Sequence, residues 1–204
     1  MRKYFKQRKA NILNHDNYNR FAIFVPLMIK DGELQIIFQI RSRHVRQPGE
    51  ICFPGGKVEE TDPSTSFAAI RELSEELGVP ENNVQLLGEL DYMVTPFHFM
   101  LFPYIGTLPS NTEFHLNKGE VEDIFFAPVS TLMKMTPKVH DIKLEMQPDN
   151  NFPYHLIPNG EDYSWRKGAV SEEFYEYNGH VIWGLTARIL THVLIELSKD
   201  YSAK

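Results

Sequence analysis

The sequence GGKVEETDPSTSFAAIRELSEELGV, from Gly55 to Val79, decides the fold of this chain. Its second half places Glu72, Glu75 and Glu76 where a helix of 3.6 residues per turn gathers three carboxylates near one face. Like charges at these spacings destabilise a helix by about 0.2–0.5 kcal/mol per pair. Because Mg²⁺ and Mn²⁺ prefer such hard oxygen ligands, the pattern predicts a metal-binding helix, with a solvated charged face as the alternative.

Helix signals enclose these glutamates. Asp62 is the predicted N-cap and Pro63 the first helical residue, while Gly78 and Pro80 predict the end of the helix. Between these signals, apolar residues recur at helical spacing: Ile70, Leu73 and Leu77. We therefore expect a helix that buries one side and presents carboxylates on another.

The composition is that of an ordinary globular protein. The 204 residues carry 42% hydrophobic and 24% charged side chains, which predicts a single domain over 1–204 with residues 1–19 as a short leading segment. A net charge of −6 argues against nucleic acid as a partner, and no apolar run is long enough for a signal peptide or membrane span. Cys52 is the only cysteine, so the simplest location is the cytoplasm, with Cys52 as a buried structural thiol.

Strand signals outnumber helix signals outside the glutamate segment. Residues 21–29 and 34–40 are predicted to form a hairpin around Asp31-Gly32, and strands are also predicted at 84–90, 93–95 and 99–108. Other expectations are an acidic strand entry over 117–129, a short helix from Ser130, loops over 137–166 with one or two strands such as 155–158, and a turn after 174 that leads into an amphipathic terminal helix.

The segment Arg71-Glu72-Leu73-Ser74-Glu75-Glu76-Leu77-Gly78-Val79 resembles the signature of the Nudix hydrolases, which runs Arg-Glu-apolar-x-Glu-Glu-x-Gly-apolar. The run from Gly56 to Arg71 is one residue longer than the usual spacer, as in the coenzyme A branch of that family. The acidic residue of the spacer is Glu59, Glu60 or Asp62.

A second motif lies ahead of this signature. Three arginines around a Pro-Gly turn present guanidinium groups suited to phosphate oxygens, with ordinary surface arginines as the alternative. Arg41-Ser42, Arg46, Gly49 and 53–56 resemble the accessory motif of the coenzyme A pyrophosphatase branch, although one residue fewer lies between Arg46 and Gly49. The segment Ile182-Trp183-Gly184-Leu185-Thr186-Ala187 resembles the end of the same domains, so the likeness covers residues 20 to 197.

The resemblance implies an α/β/α sandwich around a mixed sheet. It implies that Mg²⁺ or Mn²⁺ is held by Glu72, Glu75, Glu76 and Glu120, with Glu122 as second choice for the last position. It also implies that Glu72 or Glu120 is the base and that Arg71 orients the glutamates. The substrate-binding residues would be Arg41, Ser42, Arg46, Gly55 and Gly56, and coenzyme A or a derivative would be cut to 3′,5′-ADP and (acyl-)4′-phosphopantetheine.

Two other functions stay open. The first is a Nudix hydrolase for ADP-ribose or a dinucleotide, in which the arginines are structural; the second is a non-catalytic Nudix domain that senses a nucleotide. The eight histidines lack zinc-binding spacing, and the chain has neither a nucleophilic serine elbow nor a P-loop. A small nucleotide is the expected partner, without nucleic acid or membrane, and a homodimer is possible.

Overall fold

A computed structural model of the protein describes the backbone of residues 2–202 and the side chains of residues 3–199. Its contacts divide the chain into two compact units, Met1–Met133 and Lys134–Lys204, and each unit is described by itself. The single domain predicted over 1–204 remains a prediction.

The first unit contains a short leading helix, a large sheet and one long helix. Its helices are α1 (Arg2–Gln7), α2 (Thr65–Leu77) and α3 (Val129–Leu132). Its strands are β1 (Asn19–Lys30), β2 (Glu33–Arg41), β3 (Ile51–Cys52), β4 (Gly55–Lys57), β5 (Gln85–Glu89), β6 (Met93–Val94), β7 (Phe99–Leu108) and β8 (Val121–Pro128). The predicted strands and the short helix near Ser130 are therefore present.

The sheet of this unit is mixed. Its main path runs β3-β2-β1-β7-β5, while β4 pairs with β1, β6 with β7, and β8 with β2. Strands β1 and β7 are parallel over ten registered pairs, from Asn19↔Phe99 to Met28↔Leu108, and the other pairs are antiparallel. The predicted α/β class with a mixed sheet is confirmed.

Helix α2 packs its apolar side on this sheet. Leu73 and Leu77 are fully buried and join a core that includes Ala22 and Phe24 of β1. The hairpin predicted from the two apolar, β-branched runs forms around Asp31-Gly32, both with positive φ, as a tight turn between strands requires. Packing of α2 on β1 and β4 brings its glutamates to the glycine pair of β4.

The predicted N-cap of α2 is wrong. Ser64 caps the helix by accepting a hydrogen bond from the backbone N–H of Phe67, and α2 begins at Thr65. Asp62 pairs instead with Arg71, because a carboxylate gains more from a charged guanidinium than from a single backbone donor. The predicted C-terminal signal is confirmed, since Gly78 has the left-handed conformation with φ 66°.

The second unit contains a three-stranded sheet and the terminal helix. Strands β9 (Lys138–Leu144), β10 (Gly168–Tyr177) and β11 (His180–Trp183) precede α4 (Gly184–Ser202), and the sheet order is β11-β10-β9. Two expectations were wrong here: the segment 155–158 lies in a 3₁₀ turn, and the turn after residue 174 is a complete hairpin around Asn178-Gly179. No helix within residues 2–202 combines the length and apolarity that crossing a membrane requires.

Candidate active site

Glu76 is a carboxylate held inside the protein. It is 5% exposed, and its Oε2 accepts hydrogen bonds from the backbone N–H of Gly55 at 2.9 Å and from Nε2 of Gln39 at 3.1 Å. Residue 55 has to be glycine here, because a Cβ would lie 2.4 Å from the carbonyl oxygen of Ala22. The glycine pair therefore lets β4 approach both β1 and the glutamate.

Glu72 lies against the second glycine of the pair. A Cβ on Gly56 would lie 2.4 Å from the carboxyl oxygens of Glu72, so a larger residue here would force the Glu72 side chain to move. Gly55 and Gly56, predicted to bind substrate, thus make their contacts in this structure with the two glutamates. Their predicted contact with a substrate stays a prediction.

Arg71 connects three carboxylates at the start of the site. Its Nε and Nη2 each donate to one oxygen of Asp62 at 3.0 Å, a paired geometry that fixes the guanidinium plane. Its Nη1 lies 3.0 Å from oxygens of both Glu72 and Glu75. Of the three acidic residues left open for the spacer, Asp62 is the one that the structure brings to Arg71.

The three signature glutamates have different surroundings. Burial raises the pKa of Glu76 to about 7, the hydrogen bonds from Gly55 and Gln39 oppose the shift, and the charges of Glu72 and Glu120 add to it. Burial also raises the pKa of Glu72, against the lowering effect of Arg71. Glu75 is 56% exposed and pairs with Arg71.

Arg71 and Asp62 shift each other's titration in opposite directions. The hydrogen bonds from Arg71 lower the pKa of Asp62, and those same bonds raise the pKa of the guanidinium. Both groups are therefore charged over the range in which proteins fold.

Glu120 directly precedes β8, the strand that pairs with the end of β2. The backbone N–H of Ser42 donates to the carbonyl oxygen of Glu120 at 2.8 Å, beside a register shift between β2 and β8 after Ile40. The charge of Glu120 contributes to the raised pKa values of both Glu72 and Glu76. Glu120, and not the second choice Glu122, is among the main charges behind these two shifts, which favours Glu120.

The arginine motif forms a compact turn after β2. The backbone N–H of Arg41 donates to the oxygen of Glu50, Gly49 N–H donates to the oxygen of Arg41, and Arg41 Nε donates to the oxygen of Arg46, each at 2.9 Å. Ser42 is fully buried, and its hydroxyl accepts from the N–H of His44. The side chain of Arg46 is exposed. The turn thus uses Arg41 and Ser42 in its own construction.

The donor set fits a divalent cation that keeps part of its water shell. Among the side chains described, those of residues 3–199, no group of three or more His, Cys, Asp or Glu is gathered closely enough to hold a metal ion. Nevertheless, the charge of Glu72 raises the pKa of Glu76, and the charge of Glu120 raises the pKa of both. Burial also disfavours the ionised form of each of these two glutamates. Since Mg²⁺ is commonly bound through one or two carboxylates plus waters and phosphates, this arrangement suits it.

Sequence analysis did not identify two of the groups at this site. Gln39 lies in an apolar strand, where a buried amide is unusual enough to have been a signal. Cys52 accepts a hydrogen bond from Gln39 Nε2 at 3.4 Å and from an Arg41 guanidinium nitrogen at 3.8 Å, and burial raises the pKa of its thiol. The predicted structural thiol is thus partly buried between the arginine turn and the glutamate helix.

A mixed sheet and a helix whose buried Glu76 and partly buried Glu72 lie against a glycine pair define an α/β protein with an acidic site. The NUDIX domain family model matches residues 19–147, and the chain belongs to this family. The predicted Nudix resemblance is therefore confirmed, and the enzyme prediction is supported by relatives that are named hydrolases.

Named relatives include one with a stated substrate. The "Peroxisomal coenzyme A diphosphatase NUDT7" of Mus musculus is 33% identical over 154 residues, which are 74% of this chain and 64% of that protein. This chain thus spans just under two thirds of the mouse protein's length. The "Uncharacterized Nudix hydrolase NudL" of Photorhabdus laumondii is 29% identical over 86% of this chain and 83% of its own. A MutT/nudix family structure from Enterococcus faecalis covers 94% of this chain and 65% of its own, at 14% identity and a TM-score of 0.49.

Proposed function

We propose that this protein is a metal-dependent diphosphatase that cleaves coenzyme A or a derivative to 3′,5′-ADP and (acyl-)4′-phosphopantetheine. The observation that carries the proposal is the backbone bond between Ser42 and Glu120. It connects the arginine turn to the backbone of Glu120, whose charge adds to the raised pKa values of Glu72 and Glu76. This connection supports a single site that combines groups suited to phosphate with groups suited to a cation.

Glu72, Glu76 and Glu120 would hold Mg²⁺ or Mn²⁺, with Glu75 at the exposed edge. When bound, the metal would neutralise diphosphate charge and lower the pKa of an attacking water. Asp62 keeps Arg71 fixed by its two hydrogen bonds, and Arg71 in turn orients Glu72 and Glu75. Arg71 is thus a positioning residue in this proposal.

Glu72 or Glu120 would accept the proton of the attacking water. Burial raises the pKa of Glu72 and makes it a stronger base than an exposed glutamate, provided that it is ionised at the working pH. Arg71 favours that ionised form. These two influences support Glu72 as the base. Glu120 remains the other candidate, because its charge helps to raise the pKa of both Glu72 and Glu76.

The proposal of coenzyme A as substrate rests on the arginine turn and on the similarity to the mouse coenzyme A diphosphatase. Arg46 presents its exposed side chain beside the bond that its carbonyl accepts from Arg41. A guanidinium there can meet a phosphate without disturbing the turn. Substrate selection by Arg41 and Arg46 is accordingly part of the proposal.

A second candidate is a Nudix diphosphatase for ADP-ribose or a dinucleotide. The contacts of Arg41 favour it, because the guanidinium of Arg41 already donates hydrogen bonds to the carbonyl oxygen of Arg46 and to the thiol sulfur of Cys52. In that case the arginine turn is structural, and other residues select the substrate. A nucleotide-sensing domain is less well supported, since all the signature glutamates and Arg71 are present.

The wider setting follows from the sequence. We propose a cytoplasmic protein, on the basis of its single cysteine, although the mouse relative is named as peroxisomal. The choice between Mg²⁺ and Mn²⁺ and a homodimeric state are further parts of the proposal.

The test is product analysis of coenzyme A incubated with the protein and Mg²⁺ or Mn²⁺, beside Glu76→Gln. We expect 3′,5′-ADP with wild type and a loss of about 10³-fold in the variant, since metal stabilisation of the transition state contributes several kcal/mol. Glu81→Gln, at an exposed site after α2, is the matched control and should keep full activity. Cleavage of ADP-ribose or a dinucleotide, but not of coenzyme A, would favour the second candidate function. If none of these compounds is cleaved, the nucleotide-sensing domain becomes the favoured function.

A further inference from the structure

Gln39 is a polar side chain buried in the strand that lies behind the glutamate helix. It is 1% exposed and belongs to β2, whose residues from Gln35 to Phe38 are also buried. Burying an amide is unfavourable unless its groups find partners. Its retention at this place therefore calls for a physical reason.

The hydrogen bonds of Gln39 fix the orientation of its amide. Nε2 donates to Glu76 Oε2 at 3.1 Å and to Cys52 Sγ at 3.4 Å, so both of its hydrogens have acceptors. If the amide were rotated by half a turn, Oε1 of Gln39 would face the carboxylate of Glu76, and the two oxygens would repel each other. In the described structure Oε1 of Gln39 is buried without a hydrogen-bond partner. The amide of Gln39 is thus oriented so that it donates to Glu76, and its own oxygen accepts no hydrogen bond.

Both donors to Glu76 contact the same oxygen. Gly55 N–H and Gln39 Nε2 reach Oε2 at 2.9 and 3.1 Å, one from β4 and one from β2. Two donors from different strands prevent the carboxylate from rotating. The other oxygen of Glu76, Oε1, then has a fixed direction.

We propose that Gln39 is a positioning residue that holds Glu76 Oε2 so that Oε1 is presented to a divalent cation. The inference rests on the proposed function, because it takes Glu76 to be a ligand. Partners that orient a metal ligand contribute to affinity without touching the metal, and their removal commonly weakens binding by about 10–100-fold. A purely structural Gln39 would instead support the packing of β2 and leave metal affinity unchanged.

The test is Mn²⁺ binding to the protein without substrate, measured by titration calorimetry for wild type and Gln39→Met. Methionine has a similar length and no donor, so we expect Mn²⁺ affinity to fall by about 10–100-fold. Gln35→Met is the matched control: Gln35 is 8% exposed, lies on the same strand, and donates to the carbonyl oxygen of Lys30 at 3.3 Å. Its Mn²⁺ affinity should stay within about twofold of wild type if affinity follows the contact with Glu76.

Thermal unfolding of each variant without metal establishes that it is folded. If Gln39→Met does not fold, Gln39→Asn provides the same test, because its shorter side chain withdraws the donor from Glu76 while keeping an amide. Mn²⁺ binding of wild-type strength in a folded Gln39 variant overturns the inference alone. Equal weakening in Gln35→Met does so too, and absence of Mn²⁺ binding by wild type overturns the proposed metal site and this inference together.

Discussion

The glutamate helix and the arginine turn are built in opposite ways. On α2, Glu76 is buried and bound by donors from two strands, while Glu75 lies at the exposed edge. In the turn over 42–50, backbone hydrogen bonds form the structure, and the side chains of Arg43 and Arg46 are exposed.

This difference indicates where each part of the function tolerates change. The position of Glu76 depends on its neighbours, down to the absent Cβ of Gly55, whose backbone N–H reaches the carboxylate. An exposed arginine on a backbone-defined turn depends mainly on the position of the turn. We therefore expect large effects from substitutions around α2 and smaller, substrate-dependent effects in the turn.

The largest effect concerns the pH dependence of stability without metal. The pKa of Glu76 is about 7 in the folded protein against 4.5 for an ordinary glutamate. Because the folded pKa is raised, the protonated form stabilises the fold fully below pH 4.5, and this contribution is lost as pH rises toward 7. At about 1.4 kcal/mol per pH unit, the loss is about 3 kcal/mol. Urea unfolding in the presence of a chelator between pH 5 and about 8 measures it.

Two variants at adjacent positions sharpen this prediction. Glu76→Gln should strongly reduce the pH dependence over this range, whereas Glu75→Gln should change it much less, because Glu75 is exposed and its charge acts on Glu72. Equal slopes in both variants would contradict the assignment to Glu76.

A smaller loss is expected from Asp62→Asn. The substitution removes the charge from a carboxylate whose side chain is 2% exposed and which accepts two hydrogen bonds from Arg71. Hydrogen bonds to charged groups contribute about 1.5–3 kcal/mol, so the free energy of unfolding should fall by about 2 kcal/mol. Glu60→Gln, at an exposed neighbouring position, is the control and should change it by less than about 0.5 kcal/mol. If the two variants unfold alike, Asp62 is not the brace of Arg71.

The smallest effect is expected from Arg46→Ala in the turn. Alanine keeps the carbonyl oxygen that accepts from Arg41, so the turn should persist while a phosphate contact is lost. We expect KM for coenzyme A to rise by about tenfold, equivalent to about 1.4 kcal/mol, with little change in kcat. The exposed Arg43→Ala variant should change KM less than about twofold. Equal KM values for Arg46→Ala and wild type would favour the second candidate function.

Sequence patterns predicted most of the first unit because its signals are local. The two apolar, β-branched runs on either side of Asp31-Gly32 predicted a hairpin, and the glutamate spacing with Gly78 predicted a helix and its end. The family resemblance added Glu120, which lies 44 positions after Glu76 and cannot be placed beside it by periodicity.

The remaining features depended on competition between partners. Asp62 could cap α2 or pair with Arg71, and only the folded chain brings that guanidinium to it. Gln39 stood out as a polar residue in an apolar strand, but its partners on α2 and β3 are distant in sequence and only the folded chain brings them to it. The hairpin at Asn178-Gly179 did carry a local signal, because Asn-Gly between strands is typical of such turns, and sequence analysis interpreted it as a simple turn.

The end of α2 also sets a constraint on insertions. The N–H groups of His115 and Asn117 donate to the carbonyl oxygens of Leu77 and Glu76, and a side chain at Gly78 would collide with the backbone of His115. From that attachment, three residues lead to Glu120. The exposed loop around residue 111 can accordingly lengthen between homologues, whereas one residue added after Asn117 would carry Glu120 away from its partners and leave the fold intact without its site.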